Sequence, residues 1–159
     1  MAGDGEAAGG PIVDGDAASS TSSSPASGGE ARAAFAARCD AIEEAYEFLL
    51  AYAAQGLPHE QGSTSGSQVR MFLGKCERAL DGLAEAARLA MRELAPEPAE
   101  PYNAFVSVLE HDARNAAAAV RLVLAQPSIG SQLVDNLNAS SHLRAVLTDL
   151  FLLDEALKR

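Results

Sequence analysis

Apolar residues recur at intervals of three and four along residues 31–157, which is the period of helices that bury one face. Glycines, prolines and polar loops divide this pattern into four segments. Gly56 and Pro58 end the first segment, and three prolines within residues 95–101 separate the second from the third. The pattern therefore predicts four helices, over about 31–56, 67–95, 101–126 and 131–157.

Each predicted helix carries one apolar stripe, which we expect to form the core. Along the chain the stripes are Phe35, Cys39, Ile42, Tyr46, Leu49 and Ala53; Val69, Phe72, Cys76, Leu80, Leu83, Ala87, Ala90 and Leu94; Phe105, Leu109, Ala113, Ala116, Val120 and Val123; and Leu143, Val146, Leu147, Leu150, Leu153 and Leu157. Ser67 is the predicted N-cap of the second helix. Residues 131–157 form either one helix or a short helix over 131–138 followed by a longer one that Ser140 or Ser141 caps. Four helices with short links predict an all-α fold, an antiparallel up-down four-helix bundle over residues 31–159.

Residues 1–30 differ from the rest in composition. They are rich in Gly, Ala, Ser and Asp, and they contain five acidic residues and no basic one. Ile12 and Val13 are their only large aliphatic residues. Such a segment buries too little apolar area to offset the entropy of ordering, so we predict a disordered acidic tail before the bundle.

The formal net charge of −10 narrows the classes of partner. A nucleic-acid-binding protein needs Lys and Arg to neutralise phosphates, and an anionic membrane surface attracts basic segments, so we expect neither partner. The chain has no apolar run of membrane-spanning length and no basic, apolar leader at its start. Two cysteines are too few for a disulfide framework. We therefore expect a cytoplasmic protein with reduced thiols.

Helical bundles often hold metal ions through Glu-x-x-His pairs, but this chain lacks that spacing. Its histidines, His59, His111 and His142, follow Gly56, Val108 and Ala139 at the position three residues earlier. Cys39 and Cys76 lie on inner stripes, where a thiol acts as a small apolar side chain. No glycine-rich phosphate loop or nucleophile elbow occurs. We predict no metal and no cofactor, and the sequence favours a protein without catalysis of its own.

His111 is the residue that best fits an exposed reactive position. At 100° per residue it lies almost opposite the stripe of the third helix, and the stretch LEHDARNAAAAV places Asp112, Arg114 and Asn115 beside it. An ordinary solvated helix face that contains a histidine accounts for this pattern too.

The stretch HDARN, residues 111–115, resembles the H-box of sensor histidine kinases. The resemblance implies that His111 is a phosphoacceptor, that Asp112 is the base and that Asn115 positions water for dephosphorylation. The proline that commonly follows the motif is Ala116 here, and the predicted helices after it leave no room for an ATP-binding domain. The resemblance therefore implies a phosphotransfer protein and not a kinase.

Four large apolar residues lie outside the predicted stripes: Val108, Leu122, Phe151 and Leu152. Phe48 and Tyr52 lie beside the stripe of the first helix in the same way. Apolar residues off the core face indicate a subunit interface or a docking site for another protein, or else a wide apolar face within the bundle. The sequence thus favours an adaptor, accessory or regulatory factor that binds a protein partner or forms a homodimer. Phosphotransfer through His111 is the alternative.

Overall fold

The structure is a computed structural model that describes residues 29–59 and 64–158. Throughout these residues the only regular elements are helices, so the predicted all-α class is confirmed. Six helices occur there: α1 (Glu30–Ala53), α2 (Thr64–Leu80), α3 (Leu83–Leu94), α4 (Ala99–Leu124), α5 (Ser131–Ala139) and α6 (Ser141–Leu157). Residues 1–28 of the tail that we predict to be disordered lie outside the described residues.

The predicted helix over 67–95 is divided into α2 and α3. Gly82 adopts a left-handed conformation, with φ 78°, and α3 begins directly after it. Arg38 of α1 stabilises this break, since its Nη1 donates hydrogen bonds to the carbonyl oxygens of Arg78 and Asp81 at 3.0 and 2.9 Å. The Arg78 carbonyl belongs to the last turn of α2 and the Asp81 carbonyl follows that turn, where carbonyl groups lack an N–H donor within the helix. The break therefore depends on a side chain from another helix.

The last predicted segment is also two helices, one of the two forms that its sequence allows. Ser140 has extended dihedral angles between α5 and α6. Since two predicted segments are each divided in two, the finer expectation of an up-down four-helix bundle is not confirmed. Ser67 is not an N-cap, because α2 begins at Thr64 and the Ser67 hydroxyl donates to the Thr64 carbonyl oxygen at 2.7 Å.

Helix α1 lies at the centre of the packing, against α2, α3 and α5, whereas α4 packs against α2, α3 and α6. This position explains why the buried residues of α1 depart from its predicted stripe. Tyr52, which the sequence places beside the stripe, is fully buried, while Phe35 and Tyr46 are only partly buried. The stripes of the later helices form the core largely as predicted.

The C-terminal end of α1 is fastened to the segment between α4 and α5. The Tyr52 hydroxyl donates to the Ile129 carbonyl oxygen at 2.7 Å. The Ser131 hydroxyl donates to the Tyr52 carbonyl oxygen at 2.7 Å and accepts the Leu57 backbone N–H at 2.9 Å. Because Tyr52, Ile129 and Ser131 are buried, each of these bonds satisfies a polar group that water cannot reach.

The N-terminal end of α1 is held by Glu93 in the last turn of α3. Its carboxylate accepts the backbone N–H groups of Gly29, Ala31 and Arg32 at 3.1–3.2 Å. Desolvation opposes ionisation of Glu93, but these three donors outweigh it and lower the pKa of the carboxyl below its usual value. The backbone N–H groups at the start of α1, which have no acceptor within the helix, thus bind a residue more than 60 positions away in sequence.

A substitution at Gly130 tests the contact between the turn after α1 and the segment before α5. A Cβ atom on Gly130 would lie 2.5 Å from the Pro58 carbonyl oxygen, so Gly130→Ala forces the two turns apart. We expect the free energy of unfolding to fall by about 1–3 kcal/mol, the usual cost of overpacking, in urea denaturation.

Gly74→Ala is the matched control, because its added Cβ meets only the flexible end of Arg78 at 3.4 Å. It replaces a glycine inside α2, so we expect unchanged or slightly increased stability, by up to about 1 kcal/mol. Equal loss in both variants would contradict the role assigned to the contact between Gly130 and Pro58.

Candidate functional site

The C-terminal half of α6 exposes two consecutive large apolar side chains. Phe151 is 59% exposed and Leu152 is 55% exposed, whereas the flanking Leu150 and Leu153 are buried in the core. Helical geometry explains the contrast, since successive residues point about 100° apart and only one face of α6 meets the bundle. The exposure of Phe151 and Leu152 agrees with their predicted position outside the stripe.

Phe151 also lines an open groove of about 710 Å³ at the end of the molecule where α1, α3 and α6 meet. The groove opens between α1 and α6, because α1 packs mainly on α2, α3 and α5 and has few contacts with α6. Its apolar lining comprises Phe35, Cys39, Met91, Leu94, Leu150, Phe151 and Leu157. The volume lies in the range of protein sites that accept a ligand or several side chains of a partner.

Carboxylates dominate the α1 side of this groove. Asp40 and Glu43 line it, together with Asp154 of α6. Burial, and then the negative charges of Glu43, Asp40 and Asp154, raise the pKa of the Cys39 thiol to about 12. Asp154 pairs with Lys158 at 2.7 Å, whereas neither Asp40 nor Glu43 has an ion-pair partner among the described residues. The groove is therefore apolar at its base and acidic along one edge.

Val108 and Leu152 lie on neighbouring helices at the same level. The Tyr102 hydroxyl bonds the Ala156 carbonyl oxygen, and Asp112 lies against Asp149, so α4 and α6 run antiparallel. Val108 precedes Asp112 by one turn and Leu152 follows Asp149 by one turn. Both exposed side chains thus lie toward the same end of the molecule.

Leu122 lies apart from Val108 and Leu152. It is 66% exposed, but it lies ~20 Å along α4 from Val108 at 1.5 Å per residue. Three of the four predicted partner-binding residues, Phe151, Leu152 and Val108, therefore lie at the same level of α4 and α6, and Leu122 lies apart from that level.

His111 is exposed on α4, as its helical phase predicts, and Asn115 lies partly exposed one turn further on. Arg114 is engaged in an ion pair with Glu110, which also binds Arg88 of α3. The side of α4 next to His111 is thus fixed by a charged network, while the imidazole itself faces solvent.

Asp112 lies partly buried against Asp149 of α6, an arrangement that the sequence did not indicate. Desolvation, and then the charge of Asp112 and a hydrogen bond with it, raise the pKa of Asp149 to about 6. The buried Oδ2 atom of Asp149 has no donor among the described residues. A proton on one carboxyl lets it donate to the other, which is how two adjacent carboxylates are usually accommodated.

The described residues offer little support for a reactive thiol, a metal site or a membrane-spanning helix. Burial raises the pKa of the Cys76 thiol to about 12, so this thiol stays protonated at neutral pH. Residues 29–59 and 64–158 hold no group of three or more His, Cys, Asp or Glu side chains arranged for a metal ion. No helix in those ranges is long and apolar enough to span a membrane.

Sequence reasoning missed Asp149 and the acidic edge formed by Asp40 and Glu43. These residues read as ordinary polar positions, because only the packing of α6 shows what they face. Comparison of the chain with protein-family models, with curated proteins and with solved structures finds no significant match.

The pair formed by Asp112 and Asp149 predicts an unusual pH dependence of stability. Since the pKa of Asp149 is raised on folding, the folded state binds more protons than the unfolded state between about pH 4 and 6. The stabilisation that the protonated Asp149 carboxyl contributes is therefore present at low pH and is lost as the pH rises through about 6. Asp149→Asn should therefore be more stable than the wild type at pH 8, by on the order of 1 kcal/mol after screening by water, and should lose that advantage near pH 4.

Thermal unfolding at both pH values measures this difference. Asp135→Asn is the control, because it removes an equal charge from an exposed position on α5. A gain at pH 8 that both variants share would show that overall charge, and not the contact between Asp112 and Asp149, is responsible.

Proposed function

We propose that the protein acts by binding another protein through the exposed apolar end of α6, as a cytoplasmic adaptor, accessory or regulatory factor without catalysis of its own. The observation that carries the proposal is the exposure of two consecutive large apolar side chains, Phe151 and Leu152, next to an apolar groove. Val108 extends this surface onto α4. We refer to Phe151, Leu152 and Val108 together as the α6 face.

Energetics support this use of the α6 face. Burying a phenylalanine or leucine side chain contributes roughly 1.5–3 kcal/mol, so a few such residues can supply most of the affinity of an interface. The net charge of −10 disfavours nucleic acids and anionic membranes as partners. It also weakens association of two copies, which repel each other, and this favours a different protein over a homodimer.

Leu152→Asp tests the proposal, because it places a charge in the centre of the α6 face. A protein that co-purifies with the wild type should first be identified, purified and titrated against it. We expect Leu152→Asp to weaken this binary complex at least tenfold in Kd, with an unchanged circular dichroism spectrum, since the side chain is exposed in the free protein.

Leu122→Asp is the matched control, because it changes an equally exposed leucine outside the α6 face. Loss of binding in both variants, or in neither, would contradict the proposal. A concentration-dependent mass that Leu152→Asp abolishes would identify a second copy of the chain as the partner.

A second proposal is histidine phosphotransfer through His111. The observation that favours it is the solvent-facing imidazole on α4 with Asn115 one turn away. In this proposal His111 accepts the phosphoryl group from a partner's aspartyl phosphate and Asn115 positions water. Asp112 is the base, and it acts beside the carboxyl of Asp149.

Mixing the protein with a phosphorylated response regulator tests this second proposal. We expect acid-labile, base-stable phosphate on the wild type, none on His111→Ala, and normal labelling of His142→Ala, which removes an exposed histidine from α6. Failure of every regulator of the same organism to transfer label, or equal labelling of His111→Ala, would exclude it.

A further inference from the structure

We infer that the groove between α1, α3 and α6 binds an amphipathic helix of a partner protein whose apolar face is flanked by Lys or Arg. This inference rests on the proposed function, and it names the chemistry of the partner. Phe151 belongs to both the α6 face and the groove, and the groove combines an apolar base with an acidic edge.

The shape of the groove suits a helix. Its lining residues on α1 run from Arg32 to Glu43, a distance of about 16 Å at 1.5 Å per residue, or three helical turns. The rest of the apolar lining comes from Leu150 to Leu157 of α6, about 10 Å or two turns at the same rise, and from Met91 and Leu94 of α3. A helix that presents apolar residues at positions i, i+3 or i+4, and i+7 can fill such a groove, which is a recurring mode of peptide recognition.

The charged residues that line the groove determine which side chains of the partner helix are favoured beside its apolar face. Asp40 and Glu43 have no ion-pair partner among the described residues, and Asp154 adds a third carboxylate on the opposite wall. The lining also holds two basic residues: Arg32 lies two turns before Asp40 near the start of α1, and Lys158 pairs with Asp154 and Glu155. A cationic flank placed over Asp40 and Glu43 therefore gains attraction that a neutral or acidic flank does not.

Two other occupants fit this charge less well. The chain's own residues 1–28 precede Gly29, which lines the groove, and they contain four acidic residues and no basic one. A second copy of the chain carries the same net charge of −10. Both would bring negative charge to an edge that already has unpaired carboxylates, so the charge favours a cationic partner.

The test uses the full chain and a synthetic, fluorescently labelled helix of about four turns with leucines on one face and lysines beside them. Fluorescence anisotropy measures its affinity. We expect binding by the wild type that weakens with added salt, and about five- to tenfold weaker binding by the double variant Asp40→Asn, Glu43→Gln, because two charge contacts are lost. A peptide of the same composition with scrambled order should bind at least tenfold more weakly.

The matched control is Asp135→Asn, Glu100→Gln, which removes two exposed carboxylates elsewhere. The charge-reversed variant Asp40→Lys, Glu43→Lys should instead prefer the same peptide with glutamate in place of lysine. No binding, equal loss in the control, or equal binding of the scrambled peptide would overturn the inference.

Two further outcomes separate the alternatives. If the wild type does not bind the peptide but Ile12→Asp, Val13→Asp does, residues 1–28 are the occupant of the groove and the inference is overturned. If the peptide does not bind but a purified natural partner still depends on Leu152, which does not line the groove, the proposed function stands and the inference alone fails. If Leu152→Asp binds that partner as tightly as the wild type does, the proposed function is itself contradicted.

Discussion

The carboxylate of Glu93 joins α3 to the first turn of α1, and the position of α1 governs the rest of the molecule. The first backbone N–H groups of a helix have no acceptor within it, and Gly29 offers no side chain to cap α1. Glu93 supplies the acceptor from the last turn of α3. At the other end, Tyr52 and Ser131 fasten α1 to the segment before α5. Held at both ends, α1 forms one fixed wall of the groove, and α3 and α6 supply the others.

The functional proposals follow from the way α6 packs against α4 and α1. Helix α6 packs on α4 and has few contacts with α1, so Phe151 and Leu152 in its C-terminal half stay more than half exposed. One side of α6 borders the groove, and the other side packs on α4, where Asp112 meets Asp149. His111 lies beside that contact. A partner that covers the α6 face would thus lie near both the groove and the imidazole, so the two functional proposals concern neighbouring surfaces.

Periodicity alone predicted the local features of this fold. The stripes of the later helices, and the exposure of Phe151, Leu152 and His111, follow from the 3.6-residue repeat, because one face of each helix meets the core. Features that depend on distant contacts were not predictable in this way. The break at Gly82 needs Arg38 of α1, and Tyr52 is buried because α5 covers a second side of α1. Asp149 looks like a surface residue until the packing of α6 places it against Asp112.

The central claim is that the end of the molecule formed by α1, α3 and the C-terminal half of α6 is the binding surface. Amide hydrogen exchange with and without the lysine-flanked amphipathic helix tests it most directly, because it locates protection along the chain without any substitution. The account predicts slower exchange in residues 29–43, 90–94 and 148–158 on binding, with no change around Leu122. Protection centred on the C-terminal half of α4, or spread evenly over all helices, would contradict it.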